Sequence, residues 1–157
     1  MTIRPFQPRD LDRVLAITVD SFGPVSIDRN IEERFGEVGG ASWQERKALD
    51  VRRDTEAFPE GCFVAEDDGE VVGYITTVIN QHARIGRIPN LAVDPEHRRQ
   101  GIAAALIGRA MEFFRERQLA MAKIETLVQN EPTQLLYPRF GFVEIARQIH
   151  YVAPLDE

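Results

Sequence analysis

The stretch Asn90-Leu91-Ala92-Val93-Asp94-Pro95-Glu96-His97-Arg98-Arg99-Gln100-Gly101-Ile102-Ala103-Ala104-Ala105-Leu106 joins a strand to a helix through a turn holding two arginines, a glycine and then small side chains. Asp94-Pro95 ends the strand, because proline has no amide to give to a ladder. Beyond it Ile102, Leu106, Ala110, Phe113 and Phe114 recur at intervals of three and four, which predicts a helix opening at Gly101 and running to about Gln118. Where such a helix begins, its first amides have no carbonyl one turn earlier, and the aligned peptide dipoles add about half a positive charge. Gly101 admits a bulky anion, Ala103 and Ala104 put little in its way, and Arg98 and Arg99 add positive charge. The turn therefore reads as a cradle for a pyrophosphate. It is neither G-x-x-x-x-G-K-[ST] nor G-x-G-x-x-G, so nucleoside triphosphate use has no support.

Outward from this turn the chain alternates between two periods. Upstream, Ile85 to Val93 reads as a strand reached through a hairpin around Gln81–Arg84, and Cys62–Glu66 and Val71–Ile79 are β-rich runs flanking Asp67-Asp68-Gly69-Glu70, a strong hairpin signal. Thr2–Phe6 predicts a first strand. Asp10 stands where it can cap a helix carrying Leu11, Val14, Leu15, Thr18 and Phe22, which Gly23-Pro24 stops. Ile27, Ile31 and Phe35 share one face of a short helix, and Ser42 with Glu45 forms a capping box for another from Trp43 to about Phe58. Downstream, Lys123–Val128 predicts a strand, Glu131–Tyr137 a short helix started by Pro132, and Phe142–Val152 a last strand or bent pair. A helix between the Ile85 and Lys123 strands favours a parallel pair joined by a right-handed crossover. The fold class is α+β with a mixed sheet.

Composition narrows the function. The chain has 157 residues, 43% hydrophobic, with no internal repeat or linker, so one domain over 1–157 is expected. A net charge of -6 argues against a general nucleic-acid binder, which needs a basic face. Met1–Asp20 carries too many charges for a signal-peptide core, and no run approaches the roughly 20 apolar residues of a membrane span. Cys62 is the single cysteine and His82, His97 and His150 lie far apart, so neither an internal disulfide nor structural zinc is expected, and the cytoplasm is the expected compartment. Cys62 itself reads as a small hydrophobe, and none of the histidines as a catalytic base.

Arg98-Arg99-Gln100-Gly101-Ile102-Ala103, after Leu91-Ala92-Val93-Asp94-Pro95, resembles the [QR]-x-x-G-x-[GA] signature of the GNAT superfamily of acetyl-CoA-dependent N-acetyltransferases. Asn130, Tyr137 and Gly141-Phe142 resemble that family's N-x6-Y-x3-G-F pattern at the correct distance from the first motif, and the Val64–Ile75 hairpin is typical of it. The resemblance covers roughly Cys62 to Val152. It implies a GNAT-like three-layer fold: a mixed, mostly antiparallel central sheet with a splayed parallel strand pair and helices on both faces.

For the site, the resemblance implies that the pantetheine arm of acetyl-CoA enters the splay and pairs with main-chain groups of Leu91, Ala92 and Val93. The amides of Arg99, Gln100, Gly101, Ile102, Ala103 and Ala104 then hold the pyrophosphate, with Arg98 and Arg99 adding charge-assisted contacts, and Asn130 steadies the arm near the mouth. Val93 N–H is the expected donor to the thioester carbonyl and Tyr137 the expected general acid at the sulfur. A free phenol near pKa 10 is a weaker acid than a thiol near 8.5, so the site is expected to lower the Tyr137 pKa or share the proton with water. Family members that carry a base place a carboxylate on the strand equivalent to Arg87–Asn90, and here none is present. Asn90 can order a water, or Glu125, Glu32 or Glu33 can supply the carboxylate. The nine acidic and six basic residues of Val25–Glu60, with Trp43, suit a cationic amine, including a lysine or a polyamine. The expected activity is direct acetyl transfer to a primary amine, with no metal. The alternative is a non-catalytic acyl-CoA sensor or interaction module. Arg147–Val152 offers a strand edge for a homodimer.

Overall fold

Asp68 and Gly69 both take positive φ, +47° and +81°, the geometry whose twist matches that of paired strands, and they fold β2 (Phe63–Asp67) onto β3 (Glu70–Asn80). The computed structural model describes residues 1–155. β1 (Thr2–Pro5) adds antiparallel to β2, β4 (Ile85–Val93) antiparallel to β3, and β5 (Met121–Ile124) parallel to β4, in the order β1-β2-β3-β4-β5. α4 (Ile102–Glu116) makes the crossover between the parallel pair.

Helices cover both faces. α4 buries Ile102, Leu106, Ile107, Ala110, Phe113 and Phe114 against Phe63, Ala65, Val72, Ile75 and Ile88 of one face. Each large side chain removed from water contributes about 1.5–3 kcal/mol, so this layer is the principal core. Gly73 sets how closely α4 sits. A Cβ there would lie 3.1 Å from the Ala92 carbonyl oxygen and 3.1 Å from Ile102 Cγ2. On the other face α1 (Leu11–Phe22) and α3 (Trp43–Ala57) pack Val14, Ile17 and Val51 over Val64, Val71, Tyr74 and Ala92. α2 (Ile27–Phe35) lies against α3, capped by Ser26, and the Ser42–Glu45 capping box forms as its residues require.

Three expectations need correction. Asp10 precedes α1 without capping it. Its carboxylate instead takes Arg4 Nη1 and Nη2 at 2.7 and 2.9 Å and the Gln7 amide at 2.8 Å. The strand expected at Lys123–Val128 starts earlier and is shorter, since the Ala120 and Met121 amides bond the Arg84 carbonyl and fix the register from Met121. Residues 142–152 form no strand: among the described residues their backbone groups find no partner beyond the Phe142 amide on the Tyr137 carbonyl.

The Arg4–Asp10 pair ties β1 to the start of α1. Burial alone would raise the Asp10 carboxyl, but the hydrogen bonds from Arg4 and Gln7 hold it below its ordinary range. A depressed folded-state pKa contributes stability that is present above the unfolded value and lost as pH falls through the folded one, so the pair weakens only below about pH 4. We expect Asp10→Asn to destabilise the fold by about 3 kcal/mol at neutral pH, leaving Arg4 with Glu66 at 2.7 Å as its remaining carboxylate partner among the described residues. Thermal melts of parent and variant that coincide at pH 7 would contradict this.

Candidate active site

The parallel register of β4 and β5 ends at Ile88↔Ile124, whereas β4 continues to Val93 with β3 alone beside it. The two strands part where the sequence implied a splay. The Asp94 amide bonds the Val72 carbonyl at 2.9 Å, so by strand alternation the Val93 and Leu91 amides face away from β3, into the gap. Ala92 lies between them with its side chain buried under α1 and α3, and by the same alternation its amide and carbonyl face β3, so unlike Leu91 and Val93 it turns no polar group into the splay.

The turn beyond Val93 is built from both sides. Arg13, on α1, gives Nη2 to the Asp94 carboxylate and Nε to the Val71 carbonyl at 3.0 Å. Asp94 in turn accepts the Glu96 amide at 2.9 Å, opening a 3-10 turn over Pro95–His97. Burial pushes Asp94 up, and the Glu96 amide with Arg13 brings it below its usual range. Left-handed backbone at Arg99 (φ +64°) and Gly101 (φ +80°) then bends the chain into α4.

Among the described residues no carbonyl or side chain accepts from the amides of Arg98 through Ala104, and the first helical bond runs from Ala105 to the Gly101 carbonyl at 3.0 Å. Nothing lies within 4 Å of a Cβ built on Gly101, so the turn is open to an anion of phosphate size. Arg98 and Arg99 meet no carboxylate among the described residues, and the Ile102 side chain points into the core, leaving only its amide to the turn. Unpaired amides, a helix N-terminus and two free guanidinium groups fit a coenzyme diphosphate.

Asn130 and Tyr137 are brought together by two threonines. Asn130 Nδ2 donates to Thr126 Oγ1 at 3.0 Å, and Thr133 Oγ1 bonds the Asn130 carbonyl at 2.7 Å and Thr126 Oγ1 at 3.2 Å. Tyr137 ends α5 (Glu131–Leu136), its ring 6.0 Å from that of Phe142. Burial raises its hydroxyl to about 12, a rise that the neighbouring Thr133 and Thr126 hydroxyls oppose without cancelling. Of the two expectations, a lowered pKa or a proton shared with water, the first is corrected: burial keeps Tyr137 a protonated donor.

The base has a different candidate from those the sequence put forward. Glu125 is paired to Arg87 and Lys123 at 2.9 and 3.0 Å, Glu33 to Arg29 at 3.0 Å, and Glu32 accepts the Trp43 amide. Asn90 is 3% exposed, and its amide is spent within the protein. Nδ2 donates to Asp54 Oδ2 at 2.7 Å and to Thr76 Oγ1 at 2.9 Å, while Oδ1 accepts from Lys47 Nζ at 2.8 Å. Asn90 therefore has no donor left with which to order a water. Asp54, on α3, is half-buried, and its second oxygen takes no hydrogen bond among the described residues. Burial lowers the Lys47 ammonium against the opposing charges of Asp28, Asp50 and Asp54, and its Nζ lies 4.4 Å from the Phe22 ring centroid.

The sequence reading passed over Asp54, Lys47, Arg13, Ser21 and Thr126. Lys47 and Asp54 are seven residues apart on the capping-box helix and so share a face, a signal that was available. Ser21, whose hydroxyl donates to the Val93 carbonyl at 3.0 Å, had no signal short of the tertiary fold.

A family model described as the acetyltransferase (GNAT) family matches residues 27–142. An N-alpha-acetyltransferase of Sulfurisphaera tokodaii is 36% identical over 102 residues, 58% of this chain and 61% of that protein. A mycothiol acetyltransferase of Streptomyces bingchenggensis is 27% identical over 158 residues, 96% of this chain and 46% of that protein. The chain thus spans about half the length of these relatives. Among solved structures, Ard1 from Thermoplasma volcanium superposes with a TM-score of 0.65 at 27% identity, over 92% of this chain and 84% of that one. The PaiA N-acetyltransferase of Thermoplasma acidophilum, solved with coenzyme A, gives 0.66 at 17% identity over 88% and 87%, a likeness of fold.

Proposed function

We propose, on the premise that the chain belongs to the acetyltransferase (GNAT) family, that it moves an acetyl group from acetyl-CoA directly to a primary amine. The observation that carries this reading is the coincidence of two features: β4 and β5 part after Ile88 and Ile124, and immediately beyond, the amides of Arg98 to Ala104 are unpaired. Acetyl-CoA supplies the activated acyl group as a thioester.

The chain's own residues divide the remaining work. The amides of Arg98 to Ala104, with the two arginines, bind the diphosphate. The Leu91 and Val93 main chain aligns the arm, and Val93 N–H polarises the thioester carbonyl. Asn130, joined to Thr126, steadies the arm near the mouth.

Tyr137 gives its proton to the departing sulfur. Burial raises thiols as well as phenols, so desolvation narrows the gap in acidity between the Tyr137 phenol and the leaving thiol. A thiolate leaving into a dry site is therefore basic enough to take the tyrosine proton. Asp54, held by Asn90, receives the amine's proton from the opposite face, and the Asp28, Asp50 and Asp54 charges draw in a cationic amine.

Two experiments bear on this. Incubation with acetyl-CoA and a panel of primary amines, with a thiol reagent to follow CoA release, is expected to show turnover. Cofactor binding with no release over the whole panel would favour the sensor. We further expect Asp54→Asn to lower kcat/KM for the amine by about 10²-fold while leaving acetyl-CoA affinity within twofold. An unchanged kcat/KM would remove Asp54 from the mechanism.

A further inference from the structure

Asn90 is closed inside a polar network that runs from one turn of α3 to another. Its Oδ1 accepts from Lys47 Nζ at 2.8 Å, while Nδ2 donates to Asp54 Oδ2 at 2.7 Å and to Thr76 Oγ1 at 2.9 Å. Thr76 is its cross-strand partner on β3 and is 1% exposed. Lys47 and Asp54 stand two turns apart on α3, about 10 Å along the helix axis, with Val51 between them buried against the sheet. The one amide of Asn90 joins the two.

An ammonium can only donate a hydrogen bond and a carboxylate can only accept one, whereas the Thr76 hydroxyl can do either. Between such ends the amide has one orientation, carbonyl to Lys47 and NH2 to Asp54. Lys47 is held in turn by Phe22, whose ring centroid lies 4.4 Å from Nζ. Without the ammonium, the buried Oδ1 loses its donor, and an unpaired buried acceptor is costly. Among its partners only the Thr76 hydroxyl can replace that donor, and the amide must turn over to meet it. The carbonyl then faces Asp54, and the carboxylate loses its hold.

We propose that Lys47 is a positioning residue: through Asn90 it fixes the Asp54 carboxylate where that group takes the acceptor's proton. The proposal rests on the reading of Asp54 as the base. Lys47 itself touches neither acetyl donor nor acceptor in this role. The other charges around it are Asp28 from α2 and Asp50 and Arg53 from α3, and among the described residues none of them hydrogen-bonds Asn90. Lys47 is therefore the group that sets the amide from the side opposite Asp54. A cation on this acidic face, where carboxylates alone would draw in an amine, has its reason in that task.

One readout is free of catalysis. In ¹⁵N-labelled protein the Asn90 side-chain amide protons should exchange with solvent about tenfold faster in Lys47→Met than in the parent, and unchanged exchange would overturn the proposal. For acetyl transfer to a primary amine, Lys47→Met should lower kcat about tenfold, with coenzyme A affinity within about twofold as the mark of an intact fold. On an Asp54→Asn background the same change should cost less than about twofold, because the carboxylate it positions is gone. Equal losses on the two backgrounds would overturn the proposal, since a merely structural role weakens both alike. Lys47→Arg keeps a donor that cannot accept and should stay within about threefold of the parent; a loss as deep as that of Lys47→Met would also overturn it. The two readings separate cleanly. An Asp54→Asn chain with the parent's kcat/KM defeats the base and this proposal with it, whereas a slow Asp54→Asn beside a parent-like Lys47→Met defeats this proposal alone.

Discussion

Replacing Gly101 with glutamate is expected to weaken coenzyme A binding by about a thousandfold while the protein stays folded. Among the described residues nothing lies within 4 Å of a Cβ at this position, so a side chain can leave the backbone here without displacing a neighbour. The left-handed backbone at φ +80° costs a non-glycine residue about 1–2 kcal/mol, a strain any substitution shares. The larger effect is charge. A carboxylate about 4 Å from a phosphate oxygen at an effective dielectric of 20 is repelled by about 4 kcal/mol, close to three powers of ten. Gly101→Ala carries the strain without the charge, and its loss should stay within about tenfold. Calorimetry separates the two. A glutamate variant that binds coenzyme A within tenfold of the parent would mean that the diphosphate lies elsewhere.

Tyr137→Phe is expected to lower kcat by 10² to 10³ with acetyl-CoA affinity unchanged, the signature of a group needed only as the sulfur departs. The ring against Phe142 is kept in the variant, so the fold should be insensitive. Because burial holds the hydroxyl at about 12, Tyr137 remains protonated through the neutral range and should contribute no limb to the rate profile there. A variant within twofold of the parent rate would assign the proton to water.

How far the sequence foretold these residues depends on the range of the interaction. The hairpin at Asp68-Gly69, the capping box at Ser42 and Glu45, and the buried face of α4 were legible because each is decided within a few residues. The turn into α4 was legible for the same reason: a strand end, two arginines and a glycine adjoin a helix start. Asp10 misled because a residue suited to capping a helix was drawn instead to Arg4 on β1. Asp54 was hidden because its importance lies in a 2.7 Å contact with Asn90, 36 positions away, and an ordinary helical aspartate looks the same in sequence. The 142–152 segment misled because its alternating pattern reads as a strand, while among the described residues its backbone groups find no ladder to join, and no local pattern states whether one is in reach.

The most direct test of the account is a titration of ¹⁵N-labelled protein with coenzyme A, followed by amide shifts. The account predicts that the amides from Arg98 to Ala104 move furthest, with Leu91 and Val93 next, as they acquire acceptors. Saturation with those amides unmoved and the large changes elsewhere in the chain would contradict it.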